Sequence, residues 1–226
     1  MDVLYETKRA KRQRVALQVL DNAHALLRDG HFVLKSWRHA TEFAAKDQML
    51  LSPRQTKCMA EMVAELILDE FGSQAVEVIA SAATAGAIFG HQVAQVLSDM
   101  LSRDILSVFV DKDGDEFVLG RDYDKTVKGK RVLFIEDILT TGKTTAGAVS
   151  TIEKAGGIVL GAVAIWNRGK VTPEMAGVTA LLSLIELELG SMTKEECLDH
   201  GPCSQSIPIR TDHGHGAQYL KNLEPS

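Results

Sequence analysis

Val132-Leu-Phe-Ile-Glu136-Asp137-Ile-Leu-Thr140-Thr141-Gly142-Lys143-Thr144-Thr145 joins an apolar run to two acids and a hydroxyl-rich turn. Four apolar residues without polar alternation predict a strand buried on both faces, as in a parallel sheet covered by helices. The residues that follow then lie at the carboxyl edge of the sheet, where open α/β folds place their ligands. A small turn leading into a helix offers backbone N–H groups with no intrahelical partner, and such groups can cradle a phosphate. Two carboxylates beside an anion site repel phosphate unless they face something else, and a ribose diol or a magnesium ion fits. Gly142-Lys143-Thr144 is half of a P-loop, but the first glycine of that pattern falls on Asp137, whose carboxylate opposes close approach of backbone to phosphate. An NTPase is therefore disfavoured. The bland alternative is a strand, turn and helix carrying a solvated acidic pair.

Around this stretch, strand and helix alternate. Expected are strand Ala75 to Ala80, helix Ala87 to Leu97, strand Ile105 to Val110, strand Arg131 to Ile135, helix Lys143 to Ala155, strand Ile158 to Ile165 and strand Thr179 to Leu184. That order argues for a parallel sheet flanked by helices. Upstream, leucine, valine and alanine recur at a helical period from about Thr7 to Arg28, and Asp29-Gly30 ends the run. A short strand, His31 to Lys35, and an irregular aromatic stretch follow. Ser52-Pro53 then starts a helix, with serine as N-cap, that runs to about Phe71 before Gly72.

The string of apolar, acidic, Thr-Thr-Gly-x-Thr positions resembles the phosphoribosyl pyrophosphate (PRPP) motif of type I phosphoribosyltransferases, and the chain as a whole resembles the orotate enzymes among them. The resemblance implies a mainly parallel central sheet flanked by helices, with a small hood built from N-terminal and C-terminal segments. On that reading residues 1–226 are one domain, with 1–50 contributing to the hood and 190–226 forming a tail. It implies transfer of a phosphoribosyl group from PRPP to orotate, with Mg2+ held through PRPP and water near Glu136 and Asp137. Thr140, Thr141, Gly142, Lys143 and Thr144 would take the 5′-phosphate, and Thr140 would also lie beside the base. Lys35, in Phe32-Val-Leu-Lys35-Ser36, matches a lysine reaching toward pyrophosphate and base, and Phe43 stands in an aromatic position downstream. Arg168 matches an arginine that meets the orotate carboxylate, which a guanidinium fork suits because it can donate two parallel hydrogen bonds. The segment from Val110 to Lys125, by its charge and glycines, reads as an exposed hairpin or long loop, and it resembles a loop that closes over PRPP, often across a dimer interface; Lys112 and Arg121 are its matching cations. A mobile cation there can neutralise a departing pyrophosphate and exclude water.

Several positions depart from the family pattern. Ser81-Ala82-Ala83-Thr84-Ala85-Gly86-Ala87 occupies the place of the pyrophosphate turn, with Ala83, Thr84, Ala85 and Gly86 as its expected contacts, yet it keeps one glycine where relatives have a pair. Asp111 stands where a second basic residue is common, Trp37 replaces a glycine, and Glu42 precedes Phe43. A transferase for a different base and a non-catalytic PRPP-binding or sensing module are the alternative readings. Lys35, Lys112, Arg121 and Arg168 also have the ordinary reading of surface charge.

The rest of the sequence bounds the class of protein. The 226 residues, 45% hydrophobic and 24% charged, suffice for a sizeable core. No apolar run is long enough to span a membrane, and the N-terminus lacks the pattern of a secretion signal. Three cysteines suggest no disulfide framework, which favours a reducing cytoplasm, and a net charge of -5 argues against a nucleic-acid surface. Cys197, His200 and Cys203, joined by His213 or His215, have the residue types of a zinc site, although the spacing fits no standard signature. Cys58 is expected as packed core.

Overall fold

The computed structural model describes residues 7–114 and 116–223, so the residues 1–6 read against a secretion signal, and Asp115 of the charged segment, lie outside it. In chain order the elements begin with α1 (Lys8–Asn22), β1 (Leu26–Leu27), β2 (Phe32–Val33), β3 (His39–Ala40), β4 (Phe43–Ala44), α2 (Asp47–Leu50) and α3 (Pro53–Phe71). They continue with β5 (Val78–Ala82), α4 (Ala85–Leu101), β6 (Leu106–Asp113), β7 (Glu116–Val118), α5 (Tyr123–Val127), β8 (Arg131–Leu139) and α6 (Lys143–Lys154). The last are β9 (Ile158–Asn167), α7 (Pro173–Ala176), β10 (Leu181–Glu186), α8 (Lys194–His200) and α9 (Gly216–Lys221).

These elements form two compact units. The first comprises the described residues up to Val19 and Leu50–Leu187; the second comprises Leu20–Met49 and the described residues from Glu188 onward. The first unit holds a six-stranded sheet ordered β10-β9-β8-β5-β6-β7. Every pairing is parallel except β6 with β7, which form an antiparallel hairpin. From the central pair the chain moves outward in opposite directions, β5 through α4 to β6 and β8 through α6 to β9. Since crossovers between parallel strands are right-handed, α4 and α6 must cover opposite faces. Side chains agree: Val78, Ala80, Val132 and Phe134 pack with Ala148, Val149 and Ile152 of α6. Ile79 and Ser81, pointing the other way, lie against Gly90 of α4. Burial of whole strands explains why they read as unbroken apolar runs.

The strand and helix bounds shift from those expected where tertiary pairing overrides local pattern. α1 ends at Asn22 rather than Arg28, because His24 takes a left-handed conformation and Leu26–Leu27 pair antiparallel with Phe43–Ala44. β8 runs on through Glu136 and Asp137 to Leu139, held by β9. α3 starts where expected, with the Ser52 hydroxyl accepting from Gln55 N and Pro53 in the first turn. No helix among the described residues is long and apolar enough to cross a membrane.

The second unit is small and built from two short antiparallel pairs, β1 with β4 and β2 with β3, together with the C-terminal segment. Backbone bonds knit the distant stretches together: His39 and Met192 exchange both N–H···O bonds at 2.8 Å, Arg210 N donates to His31 O, and His215 N donates to Val33 O. Phe32 and Phe43 stack at 5.5 Å between ring centroids.

Candidate active site

β5 and β8 diverge at their carboxyl ends. β8 pairs with β5 only as far as Ile135↔Ser81, whereas it stays paired with β9 to Leu139↔Asn167. Glu136 and the residues after it are therefore released on the β5 side, at the place where the strand order changes direction, which is where ligands enter such sheets.

Glu136 and Asp137 are 7% and 5% exposed at this opening. Local donors orient them: Asp137 N donates to Glu136 Oε1 at 3.3 Å, Ile138 N to Asp137 Oδ1 at 2.6 Å, and the buried Thr145 hydroxyl to Glu136 Oε2 at 3.5 Å. Across the gap, a Cβ at Gly86, in the first turn of α4, would lie 3.9 Å from Glu136 Oε1. The expected pyrophosphate turn is thus beside the acidic pair, with the peptide between Ala83 and Thr84 in the cis form.

Thr140, Thr141 and Gly142 form the turn into α6. Gly142 has φ +75°, and a Cβ there would meet Met175 O at 2.8 Å, so this turn requires glycine. Thr140 and Thr141 are exposed, as are Lys143 and Thr144, and the N–H groups opening α6 are available to an anion.

The loop after β9 closes on the same turn. Arg168 N and Gly169 N both donate to Leu139 O at 3.1 Å, and a Cβ on Gly169 would lie 1.8 Å from Thr140 O. The Asn167 side chain brackets the loop, donating through Nδ2 to Val171 O and accepting from Val171 N, each at 2.9 Å. Arg168 is half-buried, no carboxylate pairs with it among the described residues, and burial holds its guanidinium below the usual arginine range. Asn167 and Gly169 were not singled out in the sequence. The signal was present, since an Asn-x-Gly run is turn chemistry.

The phosphoribosyl transferase domain family matches residues 47–187. The chain belongs to the phosphoribosyltransferase family. Orotate phosphoribosyltransferase of Parvibaculum lavamentivorans is 31% identical to this phosphoribosyltransferase over 177 residues, covering 78% of this chain and 86% of its own. That of Phenylobacterium zucineum is 35% identical over 149 residues, covering 65% and 72%. Among solved structures, Mycobacterium tuberculosis orotate phosphoribosyltransferase superposes with a TM-score of 0.61 at 21% identity, covering 78% of this chain and 96% of that one. The expected type I phosphoribosyltransferase fold is thereby established.

Much of the charged segment of this phosphoribosyltransferase is strand. β6 continues to Asp113, and Lys112 pairs in register with Phe117. Lys112 is exposed with no ion pair among the described residues. Arg121 donates to Asp111, an H-bond that raises its pKa, and its guanidinium lies 4.6 Å from the Phe109 ring centroid. Asp111, out of place in the family pattern, thus has a local partner.

Lys35 is exposed in the turn between β2 and β3 of the second unit. Trp37, also exposed and with φ 61°, packs near His215 and Tyr219 rather than in a core. Phe43 is stacked on Phe32 and meets the edge of His213, and Glu42 is occupied by Arg28 at 3.6 Å.

One expected grouping is corrected. His200 is exposed at the end of α8, His213 lies by Asp212 and His215 by Gln218. None of the three joins the cysteines; the side chains gathered with Cys197 and Cys203 are His31 and His39. Burial lowers the pKa of His39, and burial with the neighbouring Cys197 pushes the Cys203 thiol up to about 11. Cys58 is half-buried and its thiol is raised by burial.

Proposed function

We propose that this phosphoribosyltransferase transfers the phosphoribosyl group of PRPP to a ring nitrogen of orotate, giving orotidine 5′-monophosphate and pyrophosphate. The observation that carries the reading is the buried, oriented pair Glu136–Asp137 beside the turn Thr140–Gly142 and the start of α4, with Arg168, which has no carboxylate partner among the described residues, at the adjoining strand end. Glu136 and Asp137 accept hydrogen bonds from the ribose hydroxyls. Backbone N–H groups from Thr140 to Thr144 hold the 5′-phosphate, with hydroxyls of Thr141 and Thr144 as further donors. The turn Ala83 to Gly86 receives the pyrophosphate. The bond from C1 of the ribose to pyrophosphate oxygen breaks as the bond to the base nitrogen forms, and the electron pair leaves with pyrophosphate. Lys112 neutralises that developing charge from the hairpin tip. Arg168 fixes the orotate carboxylate through its fork, which selects an anionic pyrimidine over a neutral base.

Magnesium fits this donor set, because the carboxylate oxygens of Glu136 and Asp137 are hard ligands of the kind it prefers. Held with PRPP near Glu136 and Asp137, the ion would supply positive charge to the pyrophosphate. We further propose a homodimer in which Lys112 serves the neighbouring subunit's site, in a cytoplasmic setting without nucleic acid or membrane.

Mixing the protein with magnesium and PRPP, then orotate, uracil, hypoxanthine or adenine in turn, and following pyrophosphate release tests the reading. Release with orotate alone is expected. Release only with another base would transfer the reading to that base, and PRPP binding without release from any base would leave a binding module.

A further inference from the structure

We propose that His31, His39, Cys197 and Cys203 form a tetrahedral structural site for a zinc ion within the second unit. Their ligand atoms all lie within 4.8 Å of one another. His31, His39 and Cys197 are 2%, 1% and 0% exposed, and Cys203 is partly covered. Both thiols are free, and two thiols with two imidazoles are the ligand set of a closed structural zinc site.

Distances within the group match the edges of a tetrahedron around a cation. Zn–S bonds of about 2.3 Å and Zn–N bonds of about 2.0 Å imply S···N edges of about 3.5 Å. Cys197 Sγ and Cys203 Sγ each lie 3.7 Å from His31 Nε2, and Cys203 Sγ lies 3.6 Å from His39 Nδ1. The two imidazole nitrogens are 2.7 Å apart, inside the edge of about 3.3 Å that zinc would set, so the rings part slightly to admit the ion.

The surroundings prepare these atoms as ligands. His31 Nδ1 is 2.7 Å from the Ile207 carbonyl, which can only accept, so Nδ1 carries the proton and Nε2 presents a lone pair to the group. A second ring nitrogen bonded to a carbonyl is the usual support of a metal-bound histidine. Cys203 N donates to Cys197 Sγ at 3.2 Å, a contact that fixes the position of that sulfur within the group. The turn between the cysteines is close around that sulfur: a Cβ at Gly201 would lie 3.1 Å from Cys197 Sγ and 2.3 Å from Met192 Sδ.

The competing explanation is a core that happens to contain two histidines. Burying imidazole among apolar side chains is unfavourable unless its nitrogens are partnered, and His39 Nε2 is buried with no partner among the described residues. A cation on Nδ1 leaves Nε2 as an N–H, so this atom does not separate the two readings; the convergence of four ligand atoms on one point does. Chain topology gives the ion a purpose. His31 directly precedes β2 and His39 opens β3, while Cys197 is 166 residues from His31, so one ion closes a long chain loop in a unit with few strands of its own.

The test is metal analysis of the full-length protein purified without chelator under reducing conditions, followed by cobalt substitution. About one zinc per chain is expected, and the cobalt form should show thiolate-to-cobalt charge transfer and intense tetrahedral visible bands. Cys203→Ser and His39→Ala should reduce bound metal at least tenfold, whereas Cys58→Ser and His200→Ala should leave it in place. Wild-type protein free of zinc that also gives no cobalt–thiolate band, or a Cys197–Cys203 disulfide in freshly purified protein, would overturn the proposal. So would loss of metal in His200→Ala equal to that in His39→Ala. The wild-type measurements decide even if a ligand variant fails to fold.

Discussion

Arg168 shows how a single side chain can carry a substrate argument. A half-buried guanidinium without a carboxylate partner among the described residues gives up hydration and gains nothing within the fold, which is the arrangement expected when an incoming anion completes the site. Arg168→Ala should therefore lower kcat/KM for orotate by about 10²- to 10³-fold, as expected for two charge-assisted hydrogen bonds, while PRPP binding changes less than about threefold. Arg168→Lys should recover only part, because an ammonium cannot make the parallel pair of bonds. Steady-state kinetics against each substrate, with PRPP binding by calorimetry, separates the outcomes; equal damage to both substrates would remove the orotate argument. Ser81 poses the opposite case. Its hydroxyl is fully buried against α4 with no partner among the described residues, so it contributes desolvation cost and no bond. Ser81→Ala should raise stability by about 0.5–1 kcal/mol in urea unfolding, with an unchanged m-value.

At the scale of elements, the β6–β7 hairpin decides where Lys112 stands. Phe117 on β7 sits over Gly147 of α6, where any Cβ would fall 2.4 Å from the ring, and the Thr151 hydroxyl donates to Phe117 O at 3.2 Å. The hairpin is thus latched onto the helix that begins at the phosphate turn. Gly147→Val should push the Phe117 ring away and loosen the hairpin, raising KM for PRPP and lowering kcat about tenfold or more, while the melting temperature falls by only a few degrees. An unchanged KM would mean that the latch does not position Lys112. In the sequence this segment reads as an exposed hairpin or long loop; the charge of Asp111 to Glu116 does not decide between them, because an edge strand can carry charge on side chains that face water. By contrast, α3 was legible to the residue at its start, since Ser52 and Pro53 act through local backbone bonds. The Glu136–Asp137 pair was also legible, as an interruption in an apolar run. Its placement inside β8 was not, because only pairing with β9 extends the strand that far.

Across the whole molecule the division between legible and hidden follows chain distance. The family match spans 47–187, nearly the extent of the first unit, where crossovers repeat and pattern is strong. The second unit draws on both ends of the chain, so Cys197 and Cys203 were visible but their partners His31 and His39 were not; the nearby His200 looked like a ligand and is exposed. The same logic applies to assembly, which no single chain displays. Lys112 projects from the exposed β6–β7 hairpin, whereas Asp137 is buried at the end of β8, so the two can be disabled separately. In a homodimer with shared sites, Lys112→Ala and Asp137→Ala should each lose at least about 10²-fold in kcat. A mixture of the two, allowed to exchange subunits, should then recover activity, because the mixed dimer pairs an intact Lys112 with an intact Asp137 at one of its two sites. If the hairpin serves its own chain, every site in the mixture lacks one of the two groups and activity stays at the level of the separate variants. Pyrophosphate release measured before and after exchange, with the dimer checked by light scattering, distinguishes the two arrangements.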